Sequence, residues 1–557
     1  MIQFHSTRGT GDALPAGEAV LKGIAPDGGL YVPSQFPELG ARLGDLSQLN
    51  YSDLALEIMR PYFADLPESA LADCIRKAYS RRNFDHDLIA PLRESGGCFF
   101  LELFHGRTLA FKDMALSLLP HIIKEAGAVS NAAGARPAAG ARPAADLPGK
   151  WHNKKILILT ATSGDTGKAA LEAFAGVEGT AIVVFYPKNG VSQVQELQMT
   201  TQEGDNVYVA GVRGNFDDAQ KGVKEIFASK EVAGLLDKAG FALSSANSIN
   251  IGRLLPQIVY YFHAYFQLAA SGRIPLPDSR AGGRVSPGTK INFTVPTGNF
   301  GNILAGYYAM RMGLPINKLI CASNSNNVLY DFFNTGVYNK NRKFTTTISP
   351  SMDILVSSNL ERLLYHMSAD SEYVRGLMDG LASTGKYSLR EYSGGTGTSG
   401  GPGAGCGTGT SGGPGAGCGP GAGCGALEFF ASEYVTEEET RKAIKASYNR
   451  GYLIDPHTAV ALAAYEKYAA KSGDTHCNVI LATASPYKFA DAVLSAIDAP
   501  ESGGPGAGCG AVLINRLACL AGERPPERVL EIFNKPVLHK TVCGTDEMAQ
   551  FVKKAGF

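Results

Sequence analysis

The chain has 557 residues, 45% of them hydrophobic and 19% charged, enough for two or more packed α/β domains around a large core. Lys plus Arg (52) balance Asp plus Glu (52), so nothing in the net charge points to nucleic acid or an anionic membrane surface. Ten cysteines form no CxxC pair, and four of them (Cys406, Cys418, Cys424, Cys509) sit in Gly/Pro-rich repeats; this argues against a zinc site or disulfide framework and for reduced thiols.

In chain order, MIQFHSTRGTGD lacks the basic and apolar regions of a secretory signal and is not Arg/Ser-rich, so a cytoplasmic protein is expected. Residues 1–95 contain amphipathic stretches such as YSDLALEIMRPYF and ESALADCIRKAYS, which predict a mostly helical N-terminal region. Lys112 follows apolar LAF in LFHGRTLAFKDMALSLLP. A lysine in apolar surroundings has its ammonium form disfavoured, and a free amine is what Schiff-base chemistry needs. Residues 128–150, where GARPAA recurs twice, are expected to be a surface insertion.

The apolar run KKILILTA predicts a strand over 154–161, followed by Thr162-Ser163-Gly164-Asp165-Thr166-Gly167 and a helix. Hydroxyls and amides at such a turn converge on whatever lies at the sheet's carboxyl edge, although Ser and Thr there are also ordinary N-caps. TAIVVFYP and the helix Val191 to Thr201 repeat the unit. The apolar stretch Leu254 to Ala270 is broken by Gln257, His263 and Gln267, so it reads as a buried helix and no membrane association is expected.

INFTVPT predicts a strand over 291–297, leading through Gly298-Asn299-Phe300-Gly301-Asn302 into the helix ILAGYYAMRMG. Glycines allow a tight turn, and a helix N-terminus offers unpaired N–H groups to an anion. The motif is neither a Walker loop nor a GxGxxG fingerprint, which favours a cofactor monophosphate over a nucleotide. Several charge-assisted hydrogen bonds of about 1.5–3 kcal/mol each could hold it. Residues 393–426 and 502–510 repeat GGPGAGCG, a composition unable to offset its ordering entropy by burial, and are read as expanded loops. NVILATAS (478 to 485) ends one more strand. The rhythm predicts two open, mostly parallel sheets covered by helices.

Together these phrases resemble the threonine synthase family of fold-type II pyridoxal 5′-phosphate (PLP) enzymes. The similarity runs through STRG (6–9), APDGGLYVP (25–33), LFHGRTLAFKD, TATSGDTG, NSINIGRLLPQIVYY (247–261), VPTGNFGN, DPHTAVA (455–461) and LATASPYKF (481–489). The resemblance implies a tryptophan synthase β-like fold. The PLP-binding domain would comprise 96–150 and 290–557, and 151–289 would form a smaller α/β domain carrying SGDTG. It implies that Lys112 is the Schiff-base lysine and proton carrier. Gly298, Asn299, Phe300, Gly301 and Asn302 would hold the cofactor phosphate, and Thr483 would face the pyridine nitrogen. Ser163, Asp165 and Thr166 would lie around the substrate's amino-acid end, and Lys188, Asn247, Asn250 and Arg253 are candidates for its phosphate. His105 and His457 are secondary, the latter following the N-cap and first-turn pair Asp455-Pro456.

The implied reaction converts O-phospho-L-homoserine and water to L-threonine and phosphate, without a metal, in a monomer or homodimer. A phospholyase releasing a 2-oxo acid, ammonia and phosphate is the alternative. The intact Lys112 and GNFGN argue against a catalytically silent binding protein.

Overall fold

The computed structural model describes residues 1–134, 154–162, 164–276, 288–389, 424–497 and 510–555. Two separate sheets organise it. The larger has six strands in the order Phe430–Tyr434, Ile316–Ser323, Ile291–Pro296, Asn478–Ala482, Cys98–Glu102 and Leu92–Ser95. The first five are parallel and the last pairs antiparallel with Cys98–Glu102. The smaller has five parallel strands in the order Val542–Cys543, Val207–Val212, Thr180–Pro187, Lys155–Ala161 and Phe241–Ser244.

Strands covered on both faces by helices read as continuous apolar runs, and all eight residues of Thr180–Pro187 are buried, as are all six of Ile291–Pro296. The sheets are the two that the strand and helix rhythm predicts. Two details are local to the boundaries. Leu92–Ser95, on the N-terminal side of residue 95, edges the large sheet, and Val542–Cys543 crosses back to the small one.

The N-terminal region is helical (Ala16–Lys22, Leu43–Leu46, Tyr51–Met59, Glu68–Ala78), with one short antiparallel pair, Phe4–Ser6 and Tyr31–Pro33. Its STRG phrase hooks the rest of the molecule. Thr7 Oγ1 donates to Glu361 at 2.6 Å and Arg8 Nε to the same carboxylate at 2.9 Å. Ile258–Ala270 is the buried helix expected, and no helix among the described residues is long and apolar enough to cross a membrane.

The expected insertion at 128–150 begins later than composition suggests, because the helix Leu119–Gly134 runs on through alanine-rich sequence of high helix propensity. Likewise Cys424–Phe429 forms a 3₁₀ turn and Gly510 opens a helix, so both are structured ends of the second and third insertions. The remainders, 135–150, 393–423 and 502–509, lie outside the described residues.

In a parallel sheet all carboxyl ends face one way. Ile291–Pro296, Asn478–Ala482 and Cys98–Glu102 are consecutive neighbours. The segments leaving them, Gly298–Asn302, Thr483 and the loop to Lys112, are therefore side by side although far apart in sequence.

Candidate active site

Lys112 sits at the N-cap position of the short helix Asp113–Leu116. The loop before it is fixed by Thr108, which donates from N and Oγ1 to the two oxygens of Asp113, and by Phe111 N, which donates to Thr483 O at 2.8 Å. Its ammonium lies 4.4 Å from the centroid of the Phe111 ring and 3.8 Å from Asp165 Oδ2. Burial dominates its proton affinity. It outweighs the attraction of Asp165 and, helped by repulsion from Arg253 and Lys488, pushes the Lys112 pKa down to about 8.

Asp165 begins the helix Asp165–Phe174 just beyond the small sheet's strand Lys155–Ala161. Gly164 precedes it with φ 128°, and a Cβ there would fall 2.5 Å from the Gln195 carboxamide, so the close turn requires glycine. Thr162 Oγ1 accepts from Gly164 N (2.9 Å) and Gly167 N (2.8 Å), taking up two of the turn's own amides. Asp165 itself accepts from Lys488 Nζ (2.7 Å), Gln195 Nε2 (3.0 Å) and Ser351 Oγ (3.3 Å). Burial opposes its charge, but the Lys488 and Lys112 ammoniums and these donors win, holding the carboxyl well below the usual range.

The Gly298–Asn302 turn has the opposite character. Phe300 is left-handed at φ 64°, rare for a residue with a side chain, and its ring packs against the stacked pair Phe333 and Phe430 at centroid distances of 5.9 and 5.8 Å. A Cβ on Gly298 would meet Ser351 O at 2.6 Å. Asn359 Nδ2 grips Asn299 O at 2.9 Å and Ser357 Oγ grips Gly298 O at 2.7 Å. The carbonyls are thus taken while the amides of the helix Gly301–Arg311 face the cavity end. Tyr260 and Tyr261 hydroxyls donate to Asn302 Oδ1 at 2.6 and 3.0 Å, which fixes the carboxamide and leaves Nδ2 buried with no partner. Arg253 Nε is buried and partnerless too, while its Nη1 donates to Ala246 O at 2.6 Å.

These groups share one cavity of about 80 Å³, lined by Lys112, Asp165, Thr166, Asn247, Arg253, Gly298–Asn302, His457 and Thr483. Ala161, Asn247, Ser248 and Asn299 also line a larger cleft of about 1270 Å³. Two buried, unpaired donors beside a helix N-terminus fit a phosphate, since each otherwise carries an uncompensated desolvation cost.

Other expected residues are placed differently. Ser163 lies outside the described residues. Asn247 reaches the cavity while donating to Ala161 O at 3.0 Å. Asn250 does not: fully buried, it caps the helix Ile251–Leu254 and donates to Val20 O and Ser245 O, both at 2.9 Å, so its hydrogen-bonding capacity is spent on the fold. Lys188 is likewise elsewhere, being 42% exposed and paired with Glu196. Polarity in sequence does not say which face a side chain takes. His105 is outside the cavity between Asp85 and Glu102, each at 2.9 Å. His457 lines it, with Nδ1 2.6 Å from Asp455 Oδ1 and Nε2 accepting from Ser351 N at 3.1 Å.

Sequence reasoning missed Lys488, Gln195, Ser351 and Arg362. Lys488 stands five residues after Thr483 in LATASPYKF, yet nothing local distinguishes it from a solvated lysine. Arg362, fully buried, donates to Tyr31 O (2.9 Å), Ile249 O (2.6 Å) and Asn359 Oδ1, so the side chain that steadies the Asn299 carbonyl is itself clamped.

A family model described as threonine synthase N terminus matches residues 3–79, and one described as threonine synthase, C-terminal, matches residues 458–542. Threonine synthase of Saccharomyces cerevisiae is 36% identical over 524 residues, 89% of this chain and 89% of that protein. Threonine synthase-like 1 of Homo sapiens is 37% identical over 506 residues, 87% of this chain but 58% of that longer protein. The X-ray crystal structure of PLP-bound threonine synthase from Brucella melitensis aligns with a TM-score of 0.73 and 33% identity, covering 100% of this chain and 99% of that one.

Proposed function

The chain belongs to the threonine synthase family, and from that premise we propose that it converts O-phospho-L-homoserine and water to L-threonine and phosphate, as a PLP-dependent carbon–oxygen lyase. Its fold is that of the fold-type II PLP enzymes. The observation that carries the reading is the meeting, in one cavity, of a buried amine with partnerless donors at a helix N-terminus.

The Gly301–Arg311 amides and Asn302 Nδ2 would hold the cofactor phosphate, and Thr483 would stand against its ring. When bound, PLP supplies an electron sink for negative charge developing next to the substrate nitrogen. Lys112, with a pKa of about 8, is free amine to roughly a tenth at pH 7, some 300-fold more than a lysine at 10.5. It takes the substrate's Cα proton and returns protons later in the sequence, and the Asp165 carboxylate stabilises its ammonium between transfers. Arg253 Nε and Asn247 would take the substrate phosphate, and Asp165 and Thr166 would orient the amino-acid end. Water is held off until its addition at Cβ by movement of the 151–289 unit, together with the strand Val542–Cys543 that pairs with it, over the remainder of 96–150 and 290–557. The setting is cytoplasmic, the assembly a monomer or homodimer, and neither nucleic acid nor membrane takes part.

PLP-loaded protein incubated with O-phospho-L-homoserine is expected to release threonine and phosphate in equal amounts, and Lys112→Ala to lower both by at least about 10³-fold. Phosphate with 2-oxobutyrate and little threonine would replace this reading by the phospholyase one.

A further inference from the structure

Lys488 is completely buried, yet it does not line the cavity. It projects from the turn Pro486–Phe489, after the large-sheet strand Asn478–Ala482, and spends its ammonium on two other segments. Nζ donates to Thr108 O (2.9 Å), in the loop that ends at Lys112, and to Asp165 Oδ1 (2.7 Å), on the first turn of a small-sheet helix. No substrate contact explains it. A buried ammonium is tolerated only where a counter-charge and a second acceptor meet it, and removing either partner strands the other's charge.

We propose that Lys488 is a positioning residue that fastens the Asp165 turn of the small sheet to the Lys112 loop of the large one, and that its positive charge is what permits an aspartate, in place of a neutral amide, beside Lys112. An asparagine at 165 could make hydrogen bonds with Gln195 and Ser351 without any counter-ion. The carboxylate adds a negative charge 3.8 Å from Lys112 Nζ, useful only if it stays ionised when buried. The ionisable groups around the pair are Lys112, Arg253 and His457 at the cavity, Asp455 paired with His457, and Asp113 bonded to Thr108. Of these, Lys112 alone pairs with Asp165 besides Lys488. This inference rests on the proposed reaction for its bearing on turnover, but not for its test.

The test is a double-mutant cycle on thermal unfolding of the PLP-loaded full chain, with Lys488→Met, Asp165→Asn and the pair, and Lys488→Arg as the charge-retaining control. Each single neutral variant is expected to lower Tm by at least ~3 °C, and the double variant to be more stable than Lys488→Met alone. In wild type the Asp165 pKa is depressed, so its stabilisation is complete above the ordinary carboxylate value and constant between pH 5 and 8. Without Lys488 burial raises that pKa, so the Tm deficit of Lys488→Met should be larger at pH 8 than at pH 5. Lys488→Arg should retain most of the wild-type Tm. If Lys488→Met does not fold, recovery of folded protein in the double variant supports the interlock equally. Additive losses, a deficit independent of pH, or a double variant that fails as badly as the single one would overturn it, leaving Lys488 as packing only. Threonine formation by wild-type protein reports separately on the reaction, so failure of one reading is distinguishable from failure of the other.

Discussion

Two strand–turn–helix units face each other across the cavity, and in sequence they look alike: Thr162–Gly167 and Gly298–Asn302 each follow an apolar strand and open a helix. The structure makes them opposites. The first has two of its amides taken by Thr162 Oγ1 and its one charge neutralised by Lys488. The second has its carbonyls tied down by Ser357 and Asn359 and keeps a buried amide donor in reserve. A turn of this shape becomes an anion site only when the fold engages its acceptors and leaves its donors unpaired. Glycine spacing alone does not decide which of the two will result.

The sharpest way to break the contrast is at Asn302. Asn302→Leu removes the reserve donor, while Tyr260 keeps Gln257 Oε1 (3.1 Å) and Tyr261 the main-chain carbonyl of residue 302 (2.9 Å) as acceptors. PLP affinity, followed by absorbance titration, should fall by about 10- to 100-fold, the equivalent of one charge-assisted hydrogen bond. Thr162→Val should act on the other unit and on another quantity. Two buried amides lose their acceptor, so denaturant unfolding should report a loss of about 1–3 kcal/mol, while PLP affinity stays within about threefold. Equal effects of both variants on PLP affinity would dissolve the distinction. At the small end, Lys188→Ala removes only an exposed pair with Glu196, and stability should change by less than about 0.5 kcal/mol with KM for the phosphorylated substrate unmoved. A marked rise in KM would restore Lys188 to the substrate phosphate.

Much of this was legible before the fold was known, and for a physical reason. Parallel strands buried on both faces must be apolar throughout, so TAIVVFYP and INFTVP announce themselves, and the turns after them fall at the sheet edge where ligands collect. What was hidden depends on tertiary partners. Lys488 and Thr108 are 380 residues apart, and only the adjacency of their strands brings them together. Asn250 was misplaced because an asparagine beside a helix reads equally as a ligand or a cap, and here its side chain closes on Val20, Ser245 and Gly252. The extent of helix Leu119–Gly134 was underestimated because repetitive alanine-rich sequence looks like low complexity even where it is good helix.

The strand Val542–Cys543 has a consequence for biosynthesis. Its neighbour Val207–Val212 is made far earlier, so as the chain leaves the ribosome four strands of the small sheet can assemble while their outer edge remains open. An unpaired edge is a template for pairing with another nascent chain. Only when the last segment arrives and lays two residues along that edge is the template covered, which makes this brief pairing a protection against misassembly out of proportion to its length.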